Sequence, residues 1–269
     1  MSWWGKLVGG AFGFMVGGPL GALLGAALGH NLDKGLSGLE EEELAPGDRS
    51  RVQTAFFTAT FSVMGHVAKA DGRVSPDEIA LAEALMAEMD LAPDLRQTAK
   101  RLFKEGKSED FPLDEVLEQF RRECRRRQTL IQMFMEIQLQ AAYADGRIDP
   151  AEERLLLHIC SRLGISEFLF RRLEQMIRAE RGFAGAGERR AGPARRPAGA
   201  TLEDAYAILN VSPDASDGEV KKAYRRLLSQ HHPDKLVAKG LPEEMMKMAA
   251  KKTHEIRQAY EMVKEARGF

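Results

Sequence analysis

The sequence predicts an all-α protein built in several parts, and three observations carry that expectation. β-branched runs are short, while Ala, Leu, Met, Glu, Arg and Gln, the strong helix formers, dominate. Apolar residues make up 44 % and charged residues 29 % of the 269 positions, which is the composition of a folded chain rather than a disordered one. In one segment after another the apolar positions recur at helical spacing. The charge balance, 39 basic against 40 acidic residues, argues against wholesale binding to nucleic acid or acidic lipid, so any electrostatic partner surface is a local patch. The two cysteines, Cys124 and Cys160, exclude a disulfide scaffold, a Cys-only zinc site and a repeated C-x-x-C module. Both lie in apolar, helix-like stretches and read as buried free thiols in a reducing compartment.

Residues 1–34 form the first part. From Leu7 to Gly29 runs a 23-residue stretch without a charge, bounded by Lys6 and by His30, Asp33 and Lys34. As a helix it would span roughly 35 Å, against a hydrocarbon core of about 30 Å. Trp3 and Trp4 stand where indole rings favour the headgroup level. A cleavable signal peptide would show a shorter apolar core and an A-x-A-like site. A soluble glycine-rich loop is opposed by the spacing: Gly5, Gly9, Gly13, Gly17, Gly21, Gly25 and Gly29 recur every four residues. On a membrane helix over about residues 7–30 that stripe draws one groove for close approach of a second backbone, hence a homodimer through the span. Pro19 and Gly18 lie where a kink is expected. The excess of basic residues C-terminal to the span favours that side as cytoplasmic.

An acidic spacer (35–50) leads to residues 51–180, which contain an internal repeat. Ala70-Asp71-Gly72-Arg73-Val74-Ser75-Pro76-Asp77-Glu78 recurs as Ala144-Asp145-Gly146-Arg147-Ile148-Asp149-Pro150-Ala151-Glu152, 74 residues on. Each copy is preceded by an apolar helical run and followed by an amphipathic one, so each half reads as helix, tight Asp-Gly turn, helix, and the halves should pack as a bundle. Glycine ends a helix in the left-handed region; Ser75 and Asp149 are N-caps; Pro76 and Pro150 take the first helical position; Glu78 and Glu152 close capping boxes. The sharper alternative is a divalent-cation site, since hard ions want several oxygens, although the twelve-residue EF-hand spacing is absent. This region resembles the TerB-like family named after tellurite resistance, which carries a duplicated A-D-G-x-[VI]-x-x-x-E pattern on a helical bundle. If the cation-holding role of some members carries over, Asp71, Glu78, Asp145, Asp149 and Glu152 are the metal ligands the resemblance implies. The run Arg121-Arg122-Glu123-Cys124-Arg125-Arg126-Arg127 reads as a solvated helix face, with a patch against anionic lipid as the alternative.

Residues 181–200, rich in Gly, Ala, Pro and Arg with almost no apolar side chain beyond Phe183, predict a flexible basic linker. Residues 201–269 then predict a short helix (Glu203 to Leu209), a second from Ser216 or Asp217 through Gln230, a bend at His232-Pro233-Asp234, and a last helix from Pro242 to about Arg267. Val220, Ala223, Tyr224, Leu227 and Leu228 make the inward stripe of the second helix, and Lys221, Lys222, Arg225 and Arg226 a basic face with like charges one turn apart. Such pairs cost a few tenths of a kcal/mol each in isolation, so an acidic partner is expected. Inward positions on the last helix are Met245, Met248, Ala249, Ile256, Ala259, Tyr260 and Val263.

Tyr206-x-Ile208-Leu209, Lys222-Ala223-Tyr224-Arg225-Arg226-Leu227, His232-Pro233-Asp234-Lys235 and Gln258-Ala259-Tyr260 fall at the spacing of the J domain, which this segment closely resembles. The resemblance implies docking of Lys221, Lys222, Tyr224, Arg225 and Arg226 on an ATP-dependent DnaK-type chaperone, with His232, Pro233 and Asp234 triggering its ATP hydrolysis. The chain itself is then no enzyme and needs no cofactor of its own. The domain order (span, TerB-like bundle, linker, terminal J domain) is similar to the DjlA co-chaperones. That likeness implies an inner-membrane location with the N-terminus periplasmic and the bulk cytoplasmic, and a regulatory role tied to envelope stress signalling and capsule polysaccharide synthesis. The other functional reading is a membrane-tethered, ion-responsive adaptor in which the bundle holds the primary activity and the J domain brings in help.

Overall fold

The computed structural model describes residues 18–27, 48–70, 72, 76–89, 91–144, 146–187 and 201–269. Most of these residues are helical, with no strand among them. The helices are α1 (18–27), α2 (Asp48–Val67), α3 (Pro76–Glu88), α4 (Pro93–Gly106), α5 (Leu113–Glu123), α6 (Gln128–Ala142), α7 (Pro150–Leu163), α8 (Glu167–Gly187), α9 (Leu202–Leu209), α10 (Asp217–His231), α11 (Pro233–Ala238) and α12 (Met246–Arg267). They group into two compact units, residues 1–165 with 237–245, and 166–236 with 246–269.

α2 is the axis of the first unit. Every side chain from Ala55 to Met64 is buried, the mark of a helix surrounded on all sides rather than laid on a surface. It packs against α4, α5, α6 and α7. The three hydroxyls in this stretch sit among apolar atoms: Ser62 Oγ donates back to Thr58 O at 2.7 Å, and the Thr60 carbonyl accepts from Gln138 Nε2 of α6 at 3.1 Å. Phe120 of α5 bridges the layers, 6.0 Å from the Phe56 ring and 4.7 Å from Phe134. Cys124 and Cys160 are free and buried, and burial pushes both thiols up to about 12, as expected of inert core cysteines.

The duplication appears as repeated backbone geometry. Gly72 (φ +86°) donates its N–H to Lys69 O at 2.8 Å, and Gly146 (φ +96°) donates to Tyr143 O at 3.0 Å, 74 residues later. Both glycines end a long helix in the left-handed region that a Cβ disfavours.

The crossing of α2 and α4 is tighter than side chains allow. A Cβ on Gly65 would lie 2.0 Å from Phe103 O, and one on Gly106 would lie 1.8 Å from Ser62 O, so each glycine admits the other helix's backbone. Beside the crossing, His66 Nδ1 meets Gly106 O at 3.0 Å; burial holds the His66 pKa below its ordinary value, so the neutral ring donates from Nδ1. Gly65→Ala is expected to push the helices apart and cost about 3 kcal/mol in urea unfolding. A loss under about 0.5 kcal/mol, the range of neutral surface changes, would show that the crossing can relax.

In the second unit α8 packs on α9, and α12 on α9 and α10. Ala205, Tyr206, Ile208 and Leu209 of α9 join Val220 and Leu227 of α10, Ile256, Ala259 and Val263 of α12, and Ala179 of α8 in one core. Two sequence expectations need correction. α8 continues to Gly187, into the stretch expected as linker, because Arg178-Ala179-Glu180-Arg181 are good helix formers placed before the Gly- and Pro-rich composition sets in; residues 188–200 lie outside the described residues. The last helix starts at Met246, after a 3-10 turn over Glu243–Met245, rather than at Pro242.

The expected membrane helix over about residues 7–30 lies largely outside the described residues. Its described part is the ten-residue α1, and no helix among the described residues is long and apolar enough to cross a membrane. Leu20 N–H of α1 donates to Gln119 Oε1 at 2.8 Å.

Candidate partner-docking site

α10 carries the basic face. Ser216 opens it with a capping box: Ser216 Oγ accepts from Glu219 N–H at 3.3 Å, and Glu219 Oε2 accepts from Ser216 N–H at 2.7 Å. The hydrogen bond from the Ser216 backbone, then that from its hydroxyl, hold the Glu219 carboxyl below its ordinary range. Val220, Ala223 and Leu227 point inward and are buried, while Lys222, Arg225 and Arg226 stand exposed. Lys221 and Tyr224 are engaged by their own chain. Lys221 Nζ lies 4.5 Å from the centroid of the Phe269 ring, and Tyr224 stacks on Tyr260 with centroids 4.0 Å apart and planes 9° from parallel. Both are half-buried, so the bare cationic surface is that of Lys222, Arg225 and Arg226.

The tripeptide after α10 leads into a short six-residue helix rather than forming a plain bend. His232 takes φ −62° and ψ 123°, the extended geometry demanded of a residue before proline. Pro233 starts α11, where its missing N–H leaves nothing unsatisfied. Asp234 N–H donates to His232 Nδ1 at 3.2 Å, so the neutral imidazole carries its proton on Nε2. Leu236 N–H closes the turn on His232 O at 3.0 Å. From below, the Thr253 hydroxyl of α12 lies 3.1 Å from His231 O and 2.8 Å from Ala249 O, tying the end of α10 to its neighbour. Lys235 Nζ donates to Ser229 Oγ at 2.6 Å. The Asp234 carboxylate, 84 % exposed, therefore projects from a fixed backbone beside the half-exposed His232 ring. A row of guanidiniums and an ammonium ending in a presented imidazole and carboxylate suits recognition of an acidic protein surface.

The other expected site residues are placed less completely. Asp149 Oδ1 accepts from Ala151 N–H at 2.7 Å and Glu152 Oε2 from Asp149 N–H at 2.9 Å, so both act as helix caps. Asp71, Asp145 and the Glu78 side chain lie outside the described residues. No cluster of three or more metal-ligating side chains occurs among the described residues. Of the glycine stripe, Gly21 and Gly25 lie in α1, whereas Gly9, Gly13, Gly17 and Gly29 lie outside the described residues.

Three contacts were not anticipated from the sequence. Arg267, at the end of α12, donates to Tyr206 Oη at 2.6 Å, to Ala215 O and Pro213 O at 2.5 Å each, and to Asp217 Oδ1 at 3.1 Å, locking the α9–α10 connection to α12. Arg172 of α8 donates to Asn210 Oδ1 and O, at 2.5 and 3.0 Å, where Asn210 ends α9 with φ +56°. Burial, then the charge of Arg226, lowers the Arg172 pKa. Glu180 of α8 pairs with Lys252 of α12 in the interior. A sequence signal existed for the last of these, since both charges fall on apolar stripes (Leu173, Met176, Ile177, Glu180 and Met248, Ala249, Lys252, Ile256).

Comparison with known proteins matches the chain in three places. Residues 57–175 match the family model of the tellurite resistance protein TerB, residues 204–267 that of the DnaJ domain, and residues 1–39 that of the co-chaperone DjlA transmembrane domain. The proteins named "Co-chaperone protein DjlA" of Coxiella burnetii, Yersinia pseudotuberculosis and Escherichia coli O157:H7 are 44, 45 and 44 % identical to it, over the full length of both chains in each case. No solved structure matches it.

Proposed function

This chain belongs to the DjlA co-chaperone family, and from that premise we propose that it is a membrane-anchored co-chaperone whose C-terminal unit binds a DnaK-type chaperone and stimulates its ATPase. In this reading residues 1–39, which match the family's transmembrane domain, anchor the chain in the inner membrane. The N-terminus is periplasmic, because an ATP-dependent partner requires the second unit to be in the cytoplasm. The chain performs no chemistry of its own; the ATP belongs to the partner. Pairing of two copies through the glycine stripe belongs to the reading as well, and cross-linking within the membrane would read it out. The family resemblance extends the proposal to a regulatory place in envelope stress signalling and capsule synthesis.

The observation that carries the proposal is the junction of α10 and α11. There the exposed Lys222, Arg225 and Arg226 run toward the presented His232 and Asp234, and each of these stands on backbone fixed by capping, proline and the Thr253 hydroxyl. The test is steady-state ATP hydrolysis by a DnaK-type chaperone with and without the full chain in detergent. Acceleration that saturates with added chain is expected. A rate unchanged at a several-fold excess of folded chain would overturn the proposal.

A further inference from the structure

A second charged site lies in the first unit. α5 ends at Glu123, a turn covers Cys124 to Arg126, and Arg127 is the N-cap of α6. With Arg51 and Val52 of α2 this turn encloses a cleft of about 290 Å³, lined by Arg51, Val52, Arg122, Glu123, Arg125, Arg126 and Arg127. Five arginines thus line one concavity with a single acidic residue, whose carboxylate is already engaged, Glu123 Oε2 standing 3.8 Å from Arg51 Nε. Arg122, Arg125 and Arg126 are exposed, and their side chains make no hydrogen bond or ion pair with other described residues.

A solvated helix face spreads its charges over a convex surface with acidic residues interspersed. Here they converge on a hollow, in a chain whose net charge is only −1. Crowded like charges repel, and a concave wall of one sign focuses the field and concentrates counter-ions. The start of α6 adds to the same potential: its N-cap is Arg127, with no side-chain cap, and its first turn holds no acidic residue. Guanidinium forks match the paired oxygens of a phosphate group better than any other common anion. The volume is near the low end for small-ligand clefts, enough for a headgroup but not for acyl chains.

We propose that this cleft binds a phosphate-bearing anion, the phosphodiester headgroup of an acidic phospholipid or free phosphate, through Arg122, Arg125 and Arg126. The site is independent of the chaperone-docking face and adds a second ligand to the chain.

The experiment titrates the full chain, in a non-ionic detergent, with dihexanoyl phosphatidylglycerol below its micellar concentration, with inorganic phosphate, and with dihexanoyl phosphatidylcholine, following heat. Saturable binding of phosphatidylglycerol alone supports the site and assigns the lipid headgroup. Equal binding of inorganic phosphate supports it and assigns the free anion. Binding is expected to weaken about tenfold or more in Arg122→Gln/Arg125→Gln/Arg126→Gln and to persist in Arg225→Gln/Arg226→Gln. The triple variant without ligand should unfold at or above the wild-type temperature, because it loses only like-charge repulsion. No saturable binding of either anion, undiminished binding by the triple variant, or a lowered unfolding temperature that marks the arginines as structural would each overturn the proposal.

Discussion

A chain carrying Asp234→Asn is expected to leave the ATP hydrolysis of a DnaK-type chaperone at its basal rate while remaining folded. The carboxylate is 84 % exposed, and the bond that shapes α11 comes from the Asp234 backbone N–H, not from its side chain. Asparagine keeps that N–H, the size of the side chain and the first-turn geometry, and removes only the negative charge. The unfolding free energy should therefore stay within about 0.5 kcal/mol of wild type, as for other surface substitutions. Neutralising the basic face should behave differently. Lys222→Ala, Arg225→Ala and Arg226→Ala each remove one exposed charge worth about 0.5–1 kcal/mol, so the triple variant should need about ten- to a hundredfold more protein, a gap that narrows with salt, yet reach much of the same maximal rate. A loss of maximum in one variant and a loss of affinity in the other would separate triggering from docking. Full stimulation by Asp234→Asn would remove the carboxylate from the mechanism and leave the basic face alone in it.

What the sequence made legible is what local chemistry determines. The left-handed glycines Gly72 and Gly146, the helix caps at Ser216 and Asp149 and the inward stripe of α10 all follow from residues within a turn or two of one another, and all are present. The candidate docking residues were legible for the same reason: charged and apolar positions alternate on one helix that stops just before a proline. That Phe269 and Tyr260 lie across from Lys221 and Tyr224 was not legible, because one helix alone does not show what packs beside it. α11 escaped because six residues carry no periodicity. Gly65 and Gly106 escaped because a glycine within a helical pattern looks like a weak helix former until the crossing helix is in place. The sequence expectation puts α8 to residue 180 in the bundle, and the TerB family model reaches residue 175, whereas its contacts group it with the second unit. Its amphipathic pattern announces a buried face without saying which neighbour covers it, and only the fold assigns Ala179 to the core of α9, α10 and α12.

That assignment makes Glu180→Ala the substitution expected to damage the second unit most. Glu180 and Lys252 are 6 % and 8 % exposed, so the pair is held away from water on both sides. Its formation adds little net stability, since desolvating two ions offsets most of their attraction. Removing one partner is another matter, because the buried Lys252 would keep its charge without the Glu180 carboxylate against it, or would have to lose its proton, or draw α8 and α12 apart to reach solvent. The expected cost is about 3–5 kcal/mol. Hydrogen exchange of the α9 and α12 amides should read it locally, while α2 and α6 in the first unit keep their protection. Lys252→Met alone should cost a similar amount, for the mirrored reason. The double variant Glu180→Leu/Lys252→Met should recover most of the loss, because a matched apolar pair pays no desolvation. If Glu180→Ala costs less than about 1 kcal/mol, or the double variant is as damaged as the singles, then α8 is a loose companion of the second unit. If the cycle behaves as expected, α8 is a structural helix of that unit, and a fragment beginning at residue 201 lacks the Glu180 carboxylate that pairs with its Lys252. Stimulation by such a fragment should then fall short of the full chain's even with His232 and Asp234 intact.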